Sequence, residues 1–468
     1  MADGSARSFK FWAPLAPKIM KTGLRHVLKR SEQSKYWDLR TAITVRIFDI
    51  VINESPPNTV TNTQNRTLKD PGIKGNVWIS KVKFPSPPED SIRQVLFNAI
   101  EKLKKPEEAL GGYTEPELLP VEGEWTGYRA NASAKTPELK ISEEKKYEEM
   151  MREVTSKTTI LYLHGGALFL CDPITHRNVN QKLAKFTGGR TFSVRYRLSP
   201  KHPFPAALLD ALFAYMSLLY PPPGSLHTPV SPSDIVIAGD SAGGNLSFAL
   251  LQLILELQRS SLKIKWYGEE RDILLPAGVA TSSPWLDITS SMPSIKNNQP
   301  YDYLPKHEME YKKCSIWPAD PPRKHMYVND PLCAHPLVSP LVAKNWNGSC
   351  PIYIATGWEI LADEEKICAM NIANQGVKVV FEEYEAMPHC FGIILPKLPG
   401  SDLFFQNWAR NITLMVDRPN DLVTNGTLIK AKTLATEPLD VLGLSTLTYE
   451  KALEMINEKA AQSSSKSS

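Results

Sequence analysis

The stretch Gly239-Asp240-Ser241-Ala242-Gly243 decides the fold of this chain. The residues before it, 234–238, are mostly apolar and β-branched, which predicts a buried strand. The residues after it, 245–255, are apolar on nearly every face, which predicts a buried helix. A strand that turns directly into a helix around G-x-S-x-G forms a nucleophile elbow, and the tight turn lifts the serine hydroxyl above the sheet. We therefore predict that Ser241 is a nucleophile.

Strands and helices alternate on both sides of this elbow. Predicted strands are 158–163, 191–196, 278–282, 351–357 and 377–384, and predicted helices are 178–186, 205–220, 363–374 and 401–416. Such alternation is typical of an α/β fold in which helices flank a mostly parallel central sheet. We expect that fold class here.

Two regions do not follow the alternation. Residues 1–75 hold an amphipathic stretch and then a polar segment, and residues 288–345 are rich in Pro, Tyr, Lys and His. Long insertions in compact folds usually serve function, so we expect both regions to cap a site on the sheet. The predicted organisation is an N-terminal arm or cap (1–75), a catalytic domain (76–420) with a cap insertion at 288–345, and a C-terminal extension (421–468). Its polar tail after Glu458 is expected to be disordered.

Composition excludes several classes of protein. The 468 residues are 42% hydrophobic and 22% charged, and the net charge of +4 argues against a nucleic-acid-binding protein. The six cysteines include no C-x-x-C pair, so we expect neither a zinc site nor a disulfide framework. No apolar stretch approaches the ~20 residues of a membrane span, and residues 1–30 lack a secretory signal pattern. We expect a cytoplasmic protein with a packed N-terminal arm; the alternative is that Phe9–Met20 contacts an endoplasmic-reticulum or lipid-droplet membrane from outside.

The groups that activate a serine should follow later strands, in the order serine, acid, histidine. Of the nine histidines, His389 directly follows the last predicted strand. Two acids follow strand 351–357. Glu359 lies at the strand-to-loop transition, whereas Asp363 lies where the next helix begins and would serve as an N-cap. We predict His389 as the base and Glu359 as the acid, with Asp363 as the alternative.

Backbone N–H groups must also stabilise the oxyanion that forms during acyl transfer. His164-Gly165-Gly166-Ala167 follows strand 158–163, on a loop that should approach the elbow. Glycines there allow amides to point into the site with no Cβ in the way of substrate. We predict that the amides of Gly165, Gly166 and Ala242 form the oxyanion hole.

Several ordered motifs carry a family resemblance. They are His164-Gly165-Gly166-Ala167, the segment 196–206 (YRLSPKHPFPA), the segment 239–245 (GDSAGGN), the segment 283–287 (SPWLD), and the acid and histidine loops. With these motifs the chain resembles the hormone-sensitive-lipase-like branch of α/β-hydrolases, the arylacetamide-deacetylase-like, fold-3 carboxylesterases, in a fungal-type form. The resemblance implies an α/β-hydrolase fold with Ser241 as nucleophile, His389 as base and Glu359 as acid. The chain departs from the family pattern in two places: Ala167 replaces a third glycine, and Glu359 replaces an aspartate.

The expected function is that of a serine carboxylester hydrolase for small to medium apolar esters, acting through an acyl-enzyme. The apolar segment 168–170 beside the oxyanion loop favours apolar substrates. The expected partner is a small-molecule ester, with no metal and no organic cofactor. The alternative is an acyltransferase or deacetylase that uses the same residues on a sterol or another secondary metabolite. A non-catalytic receptor is disfavoured because Ser241 and His389 are both present.

Overall fold

The computed structural model of the chain describes residues 15–105 and 112–465. The strands are β1 Val77–Phe84, β2 Val121–Tyr128, β3 Thr159–Leu163, β4 Arg190–Arg195, β5 Ile235–Asp240, β6 Ile264–Trp266, β7 Glu269–Arg271, β8 Gly278–Ser282, β9 Ile352–Thr356, β10 Val379–Tyr384, β11 Asn425–Ile429 and β12 Thr436–Leu439. The helices are α1 Ala16–Val27, α2 Leu39–Asn53, α3 Val60–Thr67, α4 Ser91–Leu103, α5 Glu143–Glu153, α6 Pro173–Thr187, α7 Ala206–Leu219, α8 Ala242–Arg259, α9 Ser294–Asn297, α10 Ala362–Asn374, α11 Phe391–Ile394, α12 Pro399–Asp417 and α13 Tyr449–Ser465. Short 3₁₀ turns join several of them.

All these strands except the small β6–β7 hairpin form one sheet. Its order is β1-β2-β4-β3-β5-β8-β9-β10-β11-β12. The central strands, from β4 to β11 in that order, run parallel, and antiparallel pairs close both edges. The predicted α/β class with a mostly parallel central sheet is therefore confirmed.

Apolar residues cover both faces of the central strands. In β3, Leu161 and Leu163 pack into the core under α7, α8 and α10, whereas Ile160 and Tyr162 face α6 and α12. Successive side chains of a strand point to opposite faces, so a strand covered on both sides must be apolar throughout. This is why the elbow strand and its neighbours have continuous apolar runs.

The C-terminal region differs from the sequence-based prediction. We expected the sheet to end with β10 and the catalytic domain to end at residue 420, but β11 and β12 extend the same sheet. We also expected disorder after Glu458, whereas α13 continues to Ser465. The helix is held by the fully buried Ala452 and Ile456, and the Tyr449 hydroxyl donates to a backbone carbonyl 3.0 Å away. These apolar anchors allow an otherwise polar segment to fold as a helix.

The N-terminal arm and the insertion meet at the edge of the sheet where the parallel strands end. Trp37 Nε1 donates to the carbonyl of Ala386, 2.6 Å away, in the loop after β10. Phe48 of α2 packs against Tyr303 of the insertion, with ring centroids 5.2 Å apart. Both regions thus lie over the loops that hold the predicted site residues. Among the helices that the structure describes, none combines the length and the apolar character needed to cross a membrane.

Candidate active site

Ser241 lies at the turn between β5 and α8 in a conformation that side chains rarely adopt. Its φ is 54° and its ψ is −120°. The backbone is held there by three hydrogen bonds of 3.0 Å: its N–H donates to the Ser282 carbonyl, and its carbonyl accepts from Asn245 and Trp285. Strain of this kind persists only where surrounding contacts enforce it. The turn leaves the Ser241 side chain half-buried at the site.

Close backbone packing explains why glycines surround the serine. A Cβ on Gly243 would lie 1.9 Å from the carbonyl oxygen of Leu163, at the end of β3. A Cβ on Gly239 would lie 2.6 Å from the same oxygen. No side chain fits at either position, so α8 can start directly against the neighbouring strand. The G-x-S-x-G pattern is a packing requirement of this turn.

His389 connects the serine to a carboxylate. Its Nε2 lies 2.9 Å from Ser241 Oγ. Its Nδ1 forms a short hydrogen bond with the carboxylate of Glu359. Both side chains are buried, Glu359 completely. The structure therefore brings together three side chains from three separate loops.

The second predicted acid lies elsewhere. Asp363 accepts a hydrogen bond from the backbone N–H of Ser294 in the insertion, at 2.7 Å, and does not reach the histidine. The other oxygen of Glu359 accepts from the Gly357 amide at 3.2 Å and from the Thr356 hydroxyl at 3.0 Å. Glu359 is thus held in place at both oxygens, whereas Asp363 attaches the insertion to α10.

The histidine and the glutamate shift each other's pKa. Burial by itself would lower the pKa of His389, but the charge of Glu359 and the hydrogen bond to it outweigh burial and raise that pKa. Burial would likewise raise the pKa of Glu359, and the His389 charge outweighs it and lowers that pKa. Both shifts favour an ionised pair over two neutral groups. The arrangement can therefore stabilise an imidazolium next to the serine.

Further buried acids surround Glu359. Burial, reinforced by the charge of neighbouring carboxylates, raises the pKa of Glu364 and Glu365 well above the ordinary value. Asp302 of the insertion accepts from the Ile360 amide at 2.8 Å, and burial raises its pKa as well. The raised pKa values disfavour ionisation of these three carboxyls, whereas the lowered pKa of Glu359 favours its charged form. Asp302 could not be predicted from the sequence, because nothing in an irregular insertion indicates which residue reaches the acid loop.

The oxyanion loop differs from the prediction at one residue. The amide of Gly165 donates to the Asp240 carboxylate at 3.1 Å, so it is not free to bind an oxyanion. A Cβ at Gly165 would lie 2.3 Å from that carboxylate, which explains the glycine. The amides of Gly166, Ala167 and Ala242 have no hydrogen-bond partner within the described residues. Ala167 therefore replaces Gly165 among the candidate donors.

The backbone of the loop shows how this exchange arises. Gly166 has φ 114° and Ala167 has φ 52°, both in the left-handed region. Leu168 follows with φ 63°, so three successive residues have positive φ, and the Gly166 and Ala167 amides form no hydrogen bond to Asp240. A non-glycine residue with positive φ is uncommon and indicates a functional constraint. No feature of the sequence predicts this, because alanine normally avoids that conformation.

Asp240 holds the oxyanion loop through the hydrogen bond from the Gly165 amide. Its buried carboxylate accepts from the Tyr162 hydroxyl at 2.6 Å and lies 3.3 Å from His176 Nε2. Burial would raise the pKa of Asp240, and the charge of His176 outweighs it and lowers that pKa; the pKa of His176 is raised in turn. Asp240 and His176 were missed as functional residues. The sequence feature that could have indicated Asp240 is the position of its carboxylate at the end of an otherwise apolar strand.

His164, the first residue of the oxyanion loop, also helps to hold that loop in place. Its ring stacks on Tyr196 with centroids 4.1 Å apart, and the Tyr196 hydroxyl donates to the His164 carbonyl at 2.6 Å. Burial, with the charge of His176, lowers the pKa of His164 to about 3. A neutral, stacked imidazole gives the loop a rigid start.

A family model described as the alpha/beta hydrolase fold matches residues 160–393, half of the chain. The chain belongs to the α/β-hydrolase fold family. An esterase from Acinetobacter venetianus is 34% identical to this α/β-hydrolase over 242 residues, which cover 51% of this chain and 69% of that protein.

Two other proteins are similar to this α/β-hydrolase. An acetyl-hydrolase from Streptomyces hygroscopicus is 31% identical over 242 residues, 52% of this chain and 70% of that protein. The crystal structure of a mutant esterase matches with a TM-score of 0.53 at 22% identity, over 80% of this chain and 96% of that one, which shows a common fold. Both named sources are bacterial, so the expected fungal type is not confirmed.

No metal centre is visible among the described residues of this α/β-hydrolase. Within residues 15–105 and 112–465, no group of three or more His, Cys, Asp or Glu side chains has the geometry to hold a metal ion. The site geometry consists of the serine, the histidine, the glutamate and the free amides.

Proposed function

We propose that this chain is a serine carboxylester hydrolase that acts through an acyl-enzyme intermediate on Ser241. The observation that carries the proposal is the continuous hydrogen-bond chain from Ser241 Oγ through the His389 ring to Glu359. In such a chain the imidazole accepts the hydroxyl proton and the carboxylate stabilises the imidazolium. Relatives named esterase and acetyl-hydrolase support the same reaction class.

In the acylation step, Ser241 Oγ attacks the ester carbonyl carbon while His389 Nε2 accepts its proton. The negative charge that develops on the carbonyl oxygen is stabilised by the amides of Gly166, Ala167 and Ala242. Preorganised amides of this kind act only where charge develops, so they lower the barrier rather than merely binding substrate. His389 then returns the proton to the leaving alcohol.

The second step reverses these roles with water. His389 accepts a proton from a water molecule, whose oxygen attacks the acyl carbon on Ser241. The same amides stabilise the second oxyanion, and His389 returns the proton to Ser241 Oγ as the acid leaves. Glu359 remains ionised throughout and holds the imidazole in the orientation that faces the serine.

As substrates we propose uncharged, small to medium apolar esters. Phe169, two residues after Ala167, packs edge-on against Tyr311 of the insertion, with ring centroids 6.0 Å apart. Tyr303, also from the insertion, packs against the ring of His389 at 6.3 Å. Aromatic walls beside a reacting ester favour apolar acyl and alcohol groups because water is released from both surfaces. Leu168 is fully buried in the core and so does not contribute to these walls.

The test is hydrolysis of p-nitrophenyl acetate, butyrate and octanoate by the wild-type protein and by Ser241→Ala. Loss of the nucleophile should lower kcat by about a millionfold, to near background. A fluorophosphonate probe should label the wild-type protein and not the variant. Hydrolysis that persists in Ser241→Ala would contradict the mechanism. Addition of an alcohol acceptor separates hydrolysis from acyl transfer, since a transferase would form the new ester faster than the free acid.

We further propose an intracellular, reducing location. It is supported by the six cysteines, which are all unpaired thiols, four of them buried. Disulfides are typical of oxidising compartments and free buried thiols of reducing ones. A fluorescent fusion of the full chain, expressed at low level, tests the location: fluorescence in the secretory pathway or the medium would contradict it.

A further inference from the structure

Helix α1 leaves an apolar stripe exposed. Met20, Leu24 and Val27 are 73%, 62% and 64% exposed, and they are three of the four most exposed large apolar side chains that the structure describes. Leu28, directly after the helix, is 51% exposed. An isolated exposed leucine is ordinary, but several adjacent ones need a partner.

The spacing of these residues puts them on one face of the helix. Positions 20, 24 and 27 follow the i, i+4, i+7 pattern, so their side chains form a single row. A different edge of the helix contacts the protein: His26 is buried, and a Cβ on Gly23 would lie 3.7 Å from Leu39 of α2. Among the described residues, the apolar row is therefore not the surface by which α1 packs on the rest of the fold.

Cations flank the apolar row. Lys21, Arg25, Lys29 and Arg30 are exposed, and none has an acidic partner among the described residues. Lys18 is paired with Glu54 of the N-terminal arm. No Asp or Glu occurs between Leu15 and Ser31. The flank is thus positively charged, with no compensating charge within the segment.

We propose that α1 docks this protein on the surface of an anionic lipid bilayer. The apolar row would lie among the acyl chains near the headgroups, and the four cations would contact lipid phosphates and carboxylates. An exposed apolar face bordered by Lys and Arg is the arrangement of interfacial helices, in which burial and charge attraction add. A second copy of the chain is a poorer occupant, because a two-fold contact through this face would bring the same cations together.

The position of α1 gives the docking a consequence for the site. The helix packs on α2, whose Phe48 contacts Tyr303, and the Tyr303 hydroxyl donates to the His389 carbonyl at 2.9 Å. The lipid-facing surface is thus part of the cap over the catalytic residues. Docking itself does not depend on the proposed esterase function, and its test does not measure catalysis.

The experiment is flotation of the full-length protein with phosphatidylcholine vesicles, with and without phosphatidylserine. The apolar variant is Met20→Gln, Leu24→Gln and Val27→Gln together, and the charge variant is Lys21→Glu with Arg25→Glu. Val423→Gln is the matched control, because Val423 is 63% exposed on another part of the surface. Glutamine and glutamate keep the helix propensity high, so the variants should fold.

We expect the wild-type protein and the control to float with phosphatidylserine vesicles, and both test variants to lose vesicle affinity by about tenfold or more. High salt should weaken wild-type binding. Three results would overturn the proposal. They are wild-type protein that does not float, an apolar variant that floats as well as the wild-type protein, and binding that appears only after residues 1–14 are removed. A wild-type dimer that the apolar variant converts to a monomer, without vesicle binding, would assign the face to a second copy instead. Circular dichroism of each variant checks the fold independently of any activity.

Discussion

The Asp240 carboxylate lies directly beneath the Gly165 amide and accepts its hydrogen bond at 3.1 Å. These two residues connect the elbow strand with the oxyanion loop. The same carboxylate is bound to Tyr162 and faces His176, so the loop rests on a buried charged group rather than on apolar packing alone. The positions of the Gly166 and Ala167 amides depend on this contact, although Asp240 is not aimed at the substrate.

Replacement of this carboxylate should impair catalysis more than binding. Asp240→Asn keeps the shape but removes the charge that faces His176. Because one oxyanion amide contributes about 10²- to 10³-fold to kcat, a displaced loop should lower kcat by about tenfold to a hundredfold with little change in KM. Steady-state kinetics on p-nitrophenyl butyrate measures this. Asp234→Asn, directly before the start of the same strand, is the control and should keep kcat. A rise in KM alone would show that Asp240 does not position the loop.

The space at Gly165 leads to a second prediction. Gly165→Ala places a Cβ within 2.3 Å of Asp240, so either the carboxylate or the loop must move. We expect kcat to fall by about a hundredfold. Ala167→Gly is the matched control: it relieves a positive φ and keeps the amide, so activity should be retained and the free energy of unfolding should change by no more than about 1 kcal/mol. Equal losses of kcat in both variants would contradict the assignment of the Gly166, Ala167 and Ala242 amides as the donors to the oxyanion.

The two acidic residues after β9 can be separated by mutation. Glu359→Gln removes the charge next to His389 and should lower kcat by about 10⁴-fold. Asp363→Asn should leave kcat nearly unchanged and reduce the free energy of unfolding by about 1 kcal/mol, because it weakens a contact with Ser294. Kinetics and urea unfolding of both variants provide the comparison. A large loss of kcat in Asp363→Asn, with little loss in Glu359→Gln, would instead identify Asp363 as the acid that pairs with His389.

The raised pKa of His389 predicts the pH dependence of activity. Below that pKa the ring is already protonated and cannot accept the Ser241 proton, so kcat/KM should fall about tenfold per pH unit on the acid side. Because Glu359 raises this pKa and burial opposes it, Glu359→Gln should move the acid limb of the residual activity to lower pH. The measurement is kcat/KM against pH for both proteins. An acid limb at the same pH in both would contradict the assignment of His389.

The alternation of strands and helices predicted the fold because the central strands are covered on both faces, which forces apolar runs that are visible in the sequence. The two edge strands at the C-terminal end, β11 and β12, were missed for the opposite reason. β11 is only partly buried and β12 contains Pro438, so neither has the expected pattern. The loops that carry Ser241, Glu359 and His389 could be located because each follows a strand. Which amides remain free could not be predicted, since that depends on the direction in which the Asp240 side chain turns under a loop 75 residues away.

The contact between Trp37 and Ala386 joins positions 349 residues apart. During synthesis on the ribosome, the N-terminal arm with Trp37 emerges long before the loop with Ala386 that it contacts. Ser241 also precedes His389 by 148 residues, so the nascent chain carries its nucleophile for some time without a base. The hydrogen-bond chain from Ser241 through His389 to Glu359 therefore cannot form until residue 389 has been synthesised, and the loop that Trp37 contacts is completed at nearly the same point of the chain.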